Sequence, residues 1–307
     1  MAPYLIITMA QHSKTKKCCI CGRVVFSDRS KYCLTCSIFA ARLINEHFPP
    51  KTIKKIWKYI RKYGYVCYYT GMELDMTNPR SPWYCVFDHW RPQDSSKIVI
   101  TSSLLNTMKS DLTEKEFWFM IRQLASFKRM HIELKKIELR YWDRDYTPDD
   151  ELLGNIKTGQ KTCCICGEPV YLYNAKYCLR CSLFSRRIIK RQLPPETVKA
   201  IWDYIRQYGY VCYYTGMPLE LNNDRSPWYC VFDHWIPGDQ GKVVLTFALF
   251  NEMKSDLSEK EFWYFVCQLA DFKEKNKKVR KMKLIYWERL YEQRIARLEL
   301  ASKGMIS

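Results

Sequence analysis

The sequence has no long hydrophobic run, although 47% of its 307 residues are hydrophobic. None of its apolar stretches approaches the roughly 20 residues that a helix needs to cross a bilayer. The first ten residues also lack the basic start and the long apolar core of a secretory signal peptide. We therefore expect a soluble, intracellular protein of the cytoplasm or nucleus that is not secreted and has no membrane partner.

Acidic side chains are scarce relative to basic ones. The chain has 32 Asp and Glu residues against 50 Lys and Arg residues, which gives a net charge of +18 and an isoelectric point near 9.2. Such a balance favours a polyanionic partner such as nucleic acid. The length is sufficient for about two domains with hydrophobic cores of their own.

The sequence contains one long internal repeat. Cys18, Asp88 and Asn106 recur as Cys163, Asp233 and Asn251 at a constant offset of 145 positions, and more than half of the aligned residues are identical. A period of this size indicates a duplicated domain and not a solenoid. We predict an N-terminal arm at 1–16, a first unit at 17–146, a linker at 147–160, a second unit at 161–291 and a charged tail at 292–307.

Most of the cysteines occur in Cys-x-x-Cys pairs. Each unit has two such pairs separated by eleven residues, a pattern typical of a closed, tetrahedral, structural zinc site. Unligated core or redox-active cysteines are the alternative, and the adjacent Cys19 and Cys164 could replace a ligand in the first pair. The predicted zinc ligands are Cys18, Cys21, Cys33 and Cys36 in the first unit and Cys163, Cys166, Cys178 and Cys181 in the second.

In each unit, apolar residues at helical spacing follow the second Cys-x-x-Cys pair of the zinc knuckle. We predict helices at 37–48 and 52–63, the second with an apolar face for the core and a basic face that could contact phosphate or remain solvated. The second unit has Ala200 for Lys55 and Asp203 for Lys58, so the first unit should bind a nucleic-acid backbone better. Thr113 and Ser258 each begin a capping box before a further apolar helix.

An Asp-His pair and a later Asn stand out as candidate catalytic residues. We expect a strand and turn at 65–72, a strand that carries Asp88-His89, and a helix at 101–110 that carries Asn106, so that the three side chains could converge. Carboxylate and amide oxygens suit Mg²⁺ or a similar ion, and an imidazole can accept a proton from water near neutral pH. Lys109 lies one turn beyond Asn106, where it could touch the scissile phosphate.

The same residues resemble the HNH, or ββα-metal, endonuclease family. The matching segments are Cys67-Tyr-Tyr-Thr-Gly71, Asp88-His89-Trp-Arg-Pro92 and Asn106-Thr-Met-Lys109, and their counterparts in the second unit. The resemblance implies an α+β fold in which each unit has a zinc knuckle, helices and a ββα core. It further implies Asp88 and Asp233 as metal ligands, His89 and His234 as general bases, and Asn106 and Asn251 as helix-borne ligands, with Lys109 and Lys254 nearby.

Two positions depart from the family pattern. Lys97 and Lys242 stand where many members have a central Asn, a change that could lower activity or leave a binding-only role. Many relatives also build a second zinc site around the motif, but of those positions this chain keeps only Cys67 and Cys212 as cysteines. We expect an apolar cluster there, with Cys85 and Cys230 as buried thiols.

These observations predict a metal-dependent endonuclease in which each unit holds one structural zinc ion and one catalytic divalent ion, so that the chain has two zinc ions in all. Two linked units could act as a pseudo-dimer that cuts each strand of double-stranded DNA at its own site, and RNA remains a possible substrate. The alternative is a zinc-dependent nucleic-acid-binding protein without catalysis.

Overall fold

A computed structural model describes residues 16–136 and 161–284, apart from positions 26, 28, 93, 95, 96, 171–174, 240 and 283. These residues form a mixed α+β structure of helices and small antiparallel sheets. Nearly all of the predicted arm, the linker at 147–160 and the tail at 292–307 lie outside the described residues. So do Tyr141-Trp142 and Tyr286-Trp287, two aromatic pairs whose sequence suggests that they could stack on bases or cap a core. Within the described ranges, no helix is both long and apolar enough to span a membrane.

The first half places four helices around one hairpin. The hairpin strands are five residues each and antiparallel, and a seven-residue helix follows the second strand directly. The elements are α1 (Leu34–Asn45), α2 (Pro50–Tyr63), β1 (Cys85–His89), β2 (Ile98–Ser102), α3 (Ser103–Lys109) and α4 (Glu114–Met130).

The second half has the same order of elements after a short additional ribbon. This ribbon pairs β3 (Lys161–Thr162) with β4 (Pro169–Val170) beside the second cysteine cluster. The elements that follow are α5 (Leu179–Lys190), α6 (Pro195–Tyr208), β5 (Cys230–His234), β6 (Val243–Phe247), α7 (Ala248–Lys254) and α8 (Glu259–Lys275).

Local sequence accounts for the helix boundaries. Proline stands at the start of α2, where a missing N–H costs nothing. Gly64 ends that helix at φ +81°, a conformation that strains residues with a Cβ. The predicted capping boxes of α4 and α8 are confirmed, because in each the hydroxyl of Thr113 or Ser258 and the Glu three residues later bond reciprocally with the backbone.

The pairing of the strands differs from the prediction. The segment at 65–72 forms turns and a single bridge from Val66 to Glu73, so the predicted strand there is wrong. The partner of β1 is β2, which occupies the first two residues of the predicted helix at 101–110 and pairs Asp88 with Val99. The β-branched run Ile98-Val-Ile-Thr favours a strand, and the helix begins only at Ser103.

The two halves contact each other through matching pairs of residues. Phe127 of α4 lies 6.1 Å from Trp263 of α8, and Trp118 of α4 lies 6.2 Å from Phe272 of α8, measured between ring centroids. These pairs are equivalent under the 145-residue offset, so each half uses the same patch, as in a two-fold interface. The buried residues of both halves form one continuous hydrophobic cluster.

Candidate functional site: cysteine clusters and buried Asp–Lys pairs

Each half contains a cluster of four cysteine sulfurs. The four Sγ atoms of each cluster lie within 4.8 Å of one another, and two pairs of sulfurs in each cluster are 3.5 Å apart. A tetrahedral zinc site with Zn–S bonds of about 2.3 Å requires sulfurs about 3.8 Å apart, so the clusters fit two zinc ions. Cys19 and Cys164 are exposed and stand outside the clusters.

Hydrogen-bond donors surround the sulfurs. Burial acts to raise the pKa of Cys18, but backbone N–H groups that include those of Cys21 and Cys33 outweigh it and hold that pKa at about 6. The Tyr65 hydroxyl donates to Cys36 Sγ at 3.0 Å, and Tyr210 donates to its equivalent in the second half at the same distance. Donors of this kind orient metal ligands from outside the coordination shell.

Asp88 lies at the junction between the hairpin and α3. The residue is only 6% exposed, and one carboxylate oxygen accepts a hydrogen bond from the Tyr69 hydroxyl. Lys109 Nζ, at the end of α3, lies 3.1 Å from the other oxygen and 3.1 Å from the carbonyl oxygen of His89. Burial raises the pKa of Asp88, against the opposing effects of Lys109 and Tyr69.

The second half repeats this arrangement. Tyr214 donates to Asp233 at 2.6 Å, and Lys254 Nζ lies 3.0 Å from Oδ2 and 3.2 Å from Oδ1 of that carboxylate. Lys254 also donates to the His234 carbonyl oxygen at 3.3 Å. Burial again raises the pKa of Asp233. The same ion pair therefore joins the first hairpin strand to the following helix in both halves.

The histidine and asparagine candidates are more accessible than the aspartates. His89 follows Asp88 on β1 and is exposed, while His234 is half-buried, as expected from alternation along a strand. Asn106 and Asn251 are half-buried on α3 and α7, one turn before the lysines. Among the described residues, no hydrogen bond joins the side chain of a candidate His or Asn to the neighbouring aspartate.

The two lysines that were predicted to touch the scissile phosphate are buried. Lys109 is 1% exposed and Lys254 is 0% exposed, so their ammonium groups meet the aspartates and not the surface. The sequence carries a signal for this burial, because Lys109 lies four residues after Leu105 on the same face of α3, and Leu105 and the adjacent Met108 are both buried. The roles of Tyr69 and Tyr214 as carboxylate partners were also not predicted.

A tryptophan follows each candidate histidine. Lys97 Nζ lies 3.1 Å from the ring centroid of Trp90, and the Trp90 indole N–H donates to Glu114 at 2.6 Å. In the second half, Lys242 covers Trp235 at 2.9 Å and the indole donates to Glu259 at 2.9 Å. Lys97 and Lys242, which depart from the pattern of the resembled family, therefore each contact this tryptophan through a cation–π interaction.

The positions at which the resembled family often has a second zinc site are buried in this chain. Cys67, Cys85, Leu104 and Leu105 are all 0% exposed, and Cys67 Sγ lies 3.3 Å from Thr101 Oγ1. Burial raises the pKa of Cys85 to about 12, so this thiol stays protonated. The prediction of an apolar cluster with buried thiols is confirmed for these residues.

Lys109→Met should destabilise the protein by about 3–5 kcal/mol at neutral pH, since it leaves a carboxylate buried without its cation. Asp88 already has a raised pKa in the folded state, and loss of Lys109 should raise it further. The folded state then binds a proton more tightly than the unfolded state, so the loss of stability should grow as pH rises. Urea unfolding at a series of pH values upward from about 4, the ordinary pKa of Asp in an unfolded chain, measures this slope.

The double variant Lys109→Met, Asp88→Asn is the matched control. It removes both charges and keeps similar volumes, so it should recover most of the stability and have a smaller dependence on pH than the single variant. Equal stability of the single and double variants at every pH would show that the ion pair is not the source of the effect.

Comparison of the chain with protein-family models, with curated proteins and with solved structures finds no match.

Proposed function

We propose that the protein is a metal-dependent DNA endonuclease that hydrolyses phosphodiester bonds at the hairpin–helix junction of each half. The observation that carries this proposal is the contact between Asp88 on β1 and Lys109 on α3. That contact brings the helix of Asn106 against the strand of Asp88-His89, and the second half has the equivalent contact. The α+β hairpin–helix order agrees with the core that the resemblance implies.

The donor chemistry of the site fits a hard divalent ion. Asp88 and Asn106, and Asp233 and Asn251, would supply one carboxylate and one amide oxygen per half, and Mg²⁺ takes few protein ligands. Each carboxylate oxygen has two lone pairs, and Tyr69 and Lys109 each use one. When bound, such an ion would stabilise negative charge on the scissile phosphate.

The remaining roles belong to the protein's own side chains. His89 and His234 would accept the proton of the attacking water, and the exposure of His89 supports this role. Lys109 and Lys254 would act as positioning residues that fix the carboxylates and the histidine backbone. The reciprocal contacts between α4 and α8 support two sites held in a pseudo-dimer, with one site for each DNA strand.

A second candidate is a zinc-stabilised nucleic-acid-binding protein without catalysis. The specific observation that favours it is the buried ion pair, because Lys109 already neutralises Asp88 and a divalent ion would have to share that carboxylate. Both candidates bind nucleic acid, so only a cleavage assay separates them.

Supercoiled plasmid is the direct test. With Mg²⁺ or Mn²⁺ present, we expect conversion to nicked and linear forms, and with the ion omitted or chelated by EDTA we expect no conversion. Because EDTA can also remove structural zinc, addition of excess Mg²⁺ after brief chelation should restore cleavage. Binding without cleavage under every metal condition would support the second candidate and contradict the first.

A further inference from the structure

The second helix of the first half has an unusual charge. In α2, all six charged side chains are cationic and exposed. None of them forms an ion pair within the described part of the chain. The equivalent helix α6 has two cations and two anions, and Arg206 is paired with Asp203 at 2.7 Å. The cations of α2 are Lys51, Lys54, Lys55, Lys58, Arg61 and Lys62.

A cleft beside Trp90 extends this charge toward α4. It has a volume of about 480 Å³, and the exposed cations Arg91, Lys115 and Arg122 line it together with Phe119. Two carboxylates also face the cleft. Both already have internal partners, because Glu114 accepts from the Trp90 indole and Glu116 accepts from Thr113 in the capping box.

Lys97 connects the helix to the cleft. Its ammonium lies over Trp90, and the Arg91 guanidinium carbon lies 5.3 Å from the same ring centroid. Burial lowers the pKa of Lys97; Glu114 opposes this effect, and the charges of Arg91 and Lys55 add to it. α2 packs against β2, which begins directly after Lys97, so this lysine joins the basic helix to the cleft beside Trp90.

The second half lacks several of the cations that form this surface. Ala200 replaces Lys55, Ile236 replaces Arg91 and Cys267 replaces Arg122. Its cleft is of similar size but is lined mainly by Trp235, Ile236 and Trp263. One cation of this half, Lys260, remains there beside Glu259, together with Lys128 of the first half. The two halves thus keep the same fold and the same Asp–Lys pair but differ in the charge beside it.

We propose that α2 and the cleft beside Trp90 form one surface that binds the phosphate backbone of duplex DNA, and that the second half has no equivalent surface. This deepens the proposed function and rests on it only for the ligand, nucleic acid. Neutralisation of phosphates by side chains releases counterions, so the logarithm of the affinity falls with the logarithm of salt by about 0.9 for each phosphate contact.

An exchange of residues between the halves tests the placement of the charge. The variant Lys55→Ala, Arg91→Ile, Ala200→Lys, Ile236→Arg has an unchanged composition and net charge, and every new residue already occurs at the equivalent position. We expect weaker binding to a duplex of arbitrary sequence, with a salt slope reduced by about 1.8 for two lost contacts. Fluorescence anisotropy without added divalent ions measures binding while cleavage is prevented.

A matched pair of charge removals is the control. Lys54→Ala, Arg61→Ala in α2 should lower the salt slope by about 1.8, whereas Lys199→Ala, Arg206→Ala at the equivalent positions of α6 should leave it unchanged. Equal effects of both pairs, or an unchanged slope in the exchange variant, would overturn the proposal. The proposal would also be overturned if the protein bound an acidic protein such as casein but had no affinity for duplex DNA. Binding that responds as expected without any cleavage would leave this surface intact and contradict only the nuclease.

Discussion

Cys36→Ser is expected to remove one of two zinc ions and to unfold the first knuckle. Cys36 is 0% exposed, lies in the first turn of α1 and accepts the Tyr65 hydroxyl. Structural zinc sites contribute about 10–16 kcal/mol of apparent binding free energy, which is comparable to the whole stability of a domain, about 5–15 kcal/mol. Metal analysis of dialysed protein should give one zinc per chain, against two for the unchanged protein.

Loss of this zinc should also destabilise β1, the strand that carries the candidate catalytic residues. Phe39 of α1 packs at ring-centroid distances of 5.3 Å from Phe87 and 5.3 Å from Tyr65. Phe87 directly precedes Asp88 on β1, so α1 links the cysteine cluster to the hairpin. We therefore expect a lower melting temperature and weaker protection of the β1 amides from hydrogen exchange.

Cys19→Ser is the matched control for this variant. Cys19 lies in the turn between Cys18 and Cys21 but is exposed and outside the cluster, so the variant should keep two zinc ions and an unchanged melting temperature. If Cys36→Ser also kept two zinc ions, or if Cys19→Ser lost one, the ligand assignment would be wrong.

The cysteine clusters could be predicted from sequence because their geometry is local. Two Cys-x-x-Cys turns at short separation bring four sulfurs together with little help from the rest of the fold. The same holds for the capping boxes of α4 and α8, which depend on residues three positions apart. The apolar residues of those helices follow helical spacing, and Phe117, Ile121 and Leu124 of α4 are all buried.

The hairpin could not be assigned in the same way. Two segments, at 65–72 and 98–102, are both rich in residues that favour strands, and the choice of partner for β1 depends on tertiary packing. The turn at 65–72 still contributes, because the Tyr68 N–H donates to the Ile100 carbonyl and the Tyr69 hydroxyl reaches Asp88. Contacts such as these join residues that are far apart in the sequence, so they cannot be predicted from the identity of the residues alone.

At the site, the ion pair between Asp88 and Lys109 is the largest difference between the structure and the sequence-based prediction. A lysine next to a candidate nuclease motif suggests phosphate contact, yet the hydrophobic residues around it on α3 draw its stem into the core. Its charge can be buried there because a carboxylate and a carbonyl oxygen satisfy it. The lysine therefore links helix to strand, which accounts for its presence in both halves without a contact to substrate.

Substitution of both histidines, His89→Ala with His234→Ala, is expected to abolish cleavage of duplex DNA. Removal of a general base costs typically about 10²–10⁴-fold in rate. Each single variant should cut one strand only, so that supercoiled plasmid accumulates as the nicked form and little linear product appears. A duplex with different labels on its two strands should show that the two single variants spare opposite strands.

The single variants also separate catalysis from folding. His89 is exposed at the end of β1, and its main-chain carbonyl, which accepts from Lys109, is retained in the Ala variant. Melting temperature, zinc content and DNA affinity should therefore stay unchanged while strand cleavage is lost. Full cleavage by the double variant would show that neither imidazole is the base. A loss of affinity or zinc together with activity would instead assign the histidines to binding or folding, because a proton acceptor contributes to the chemical step alone.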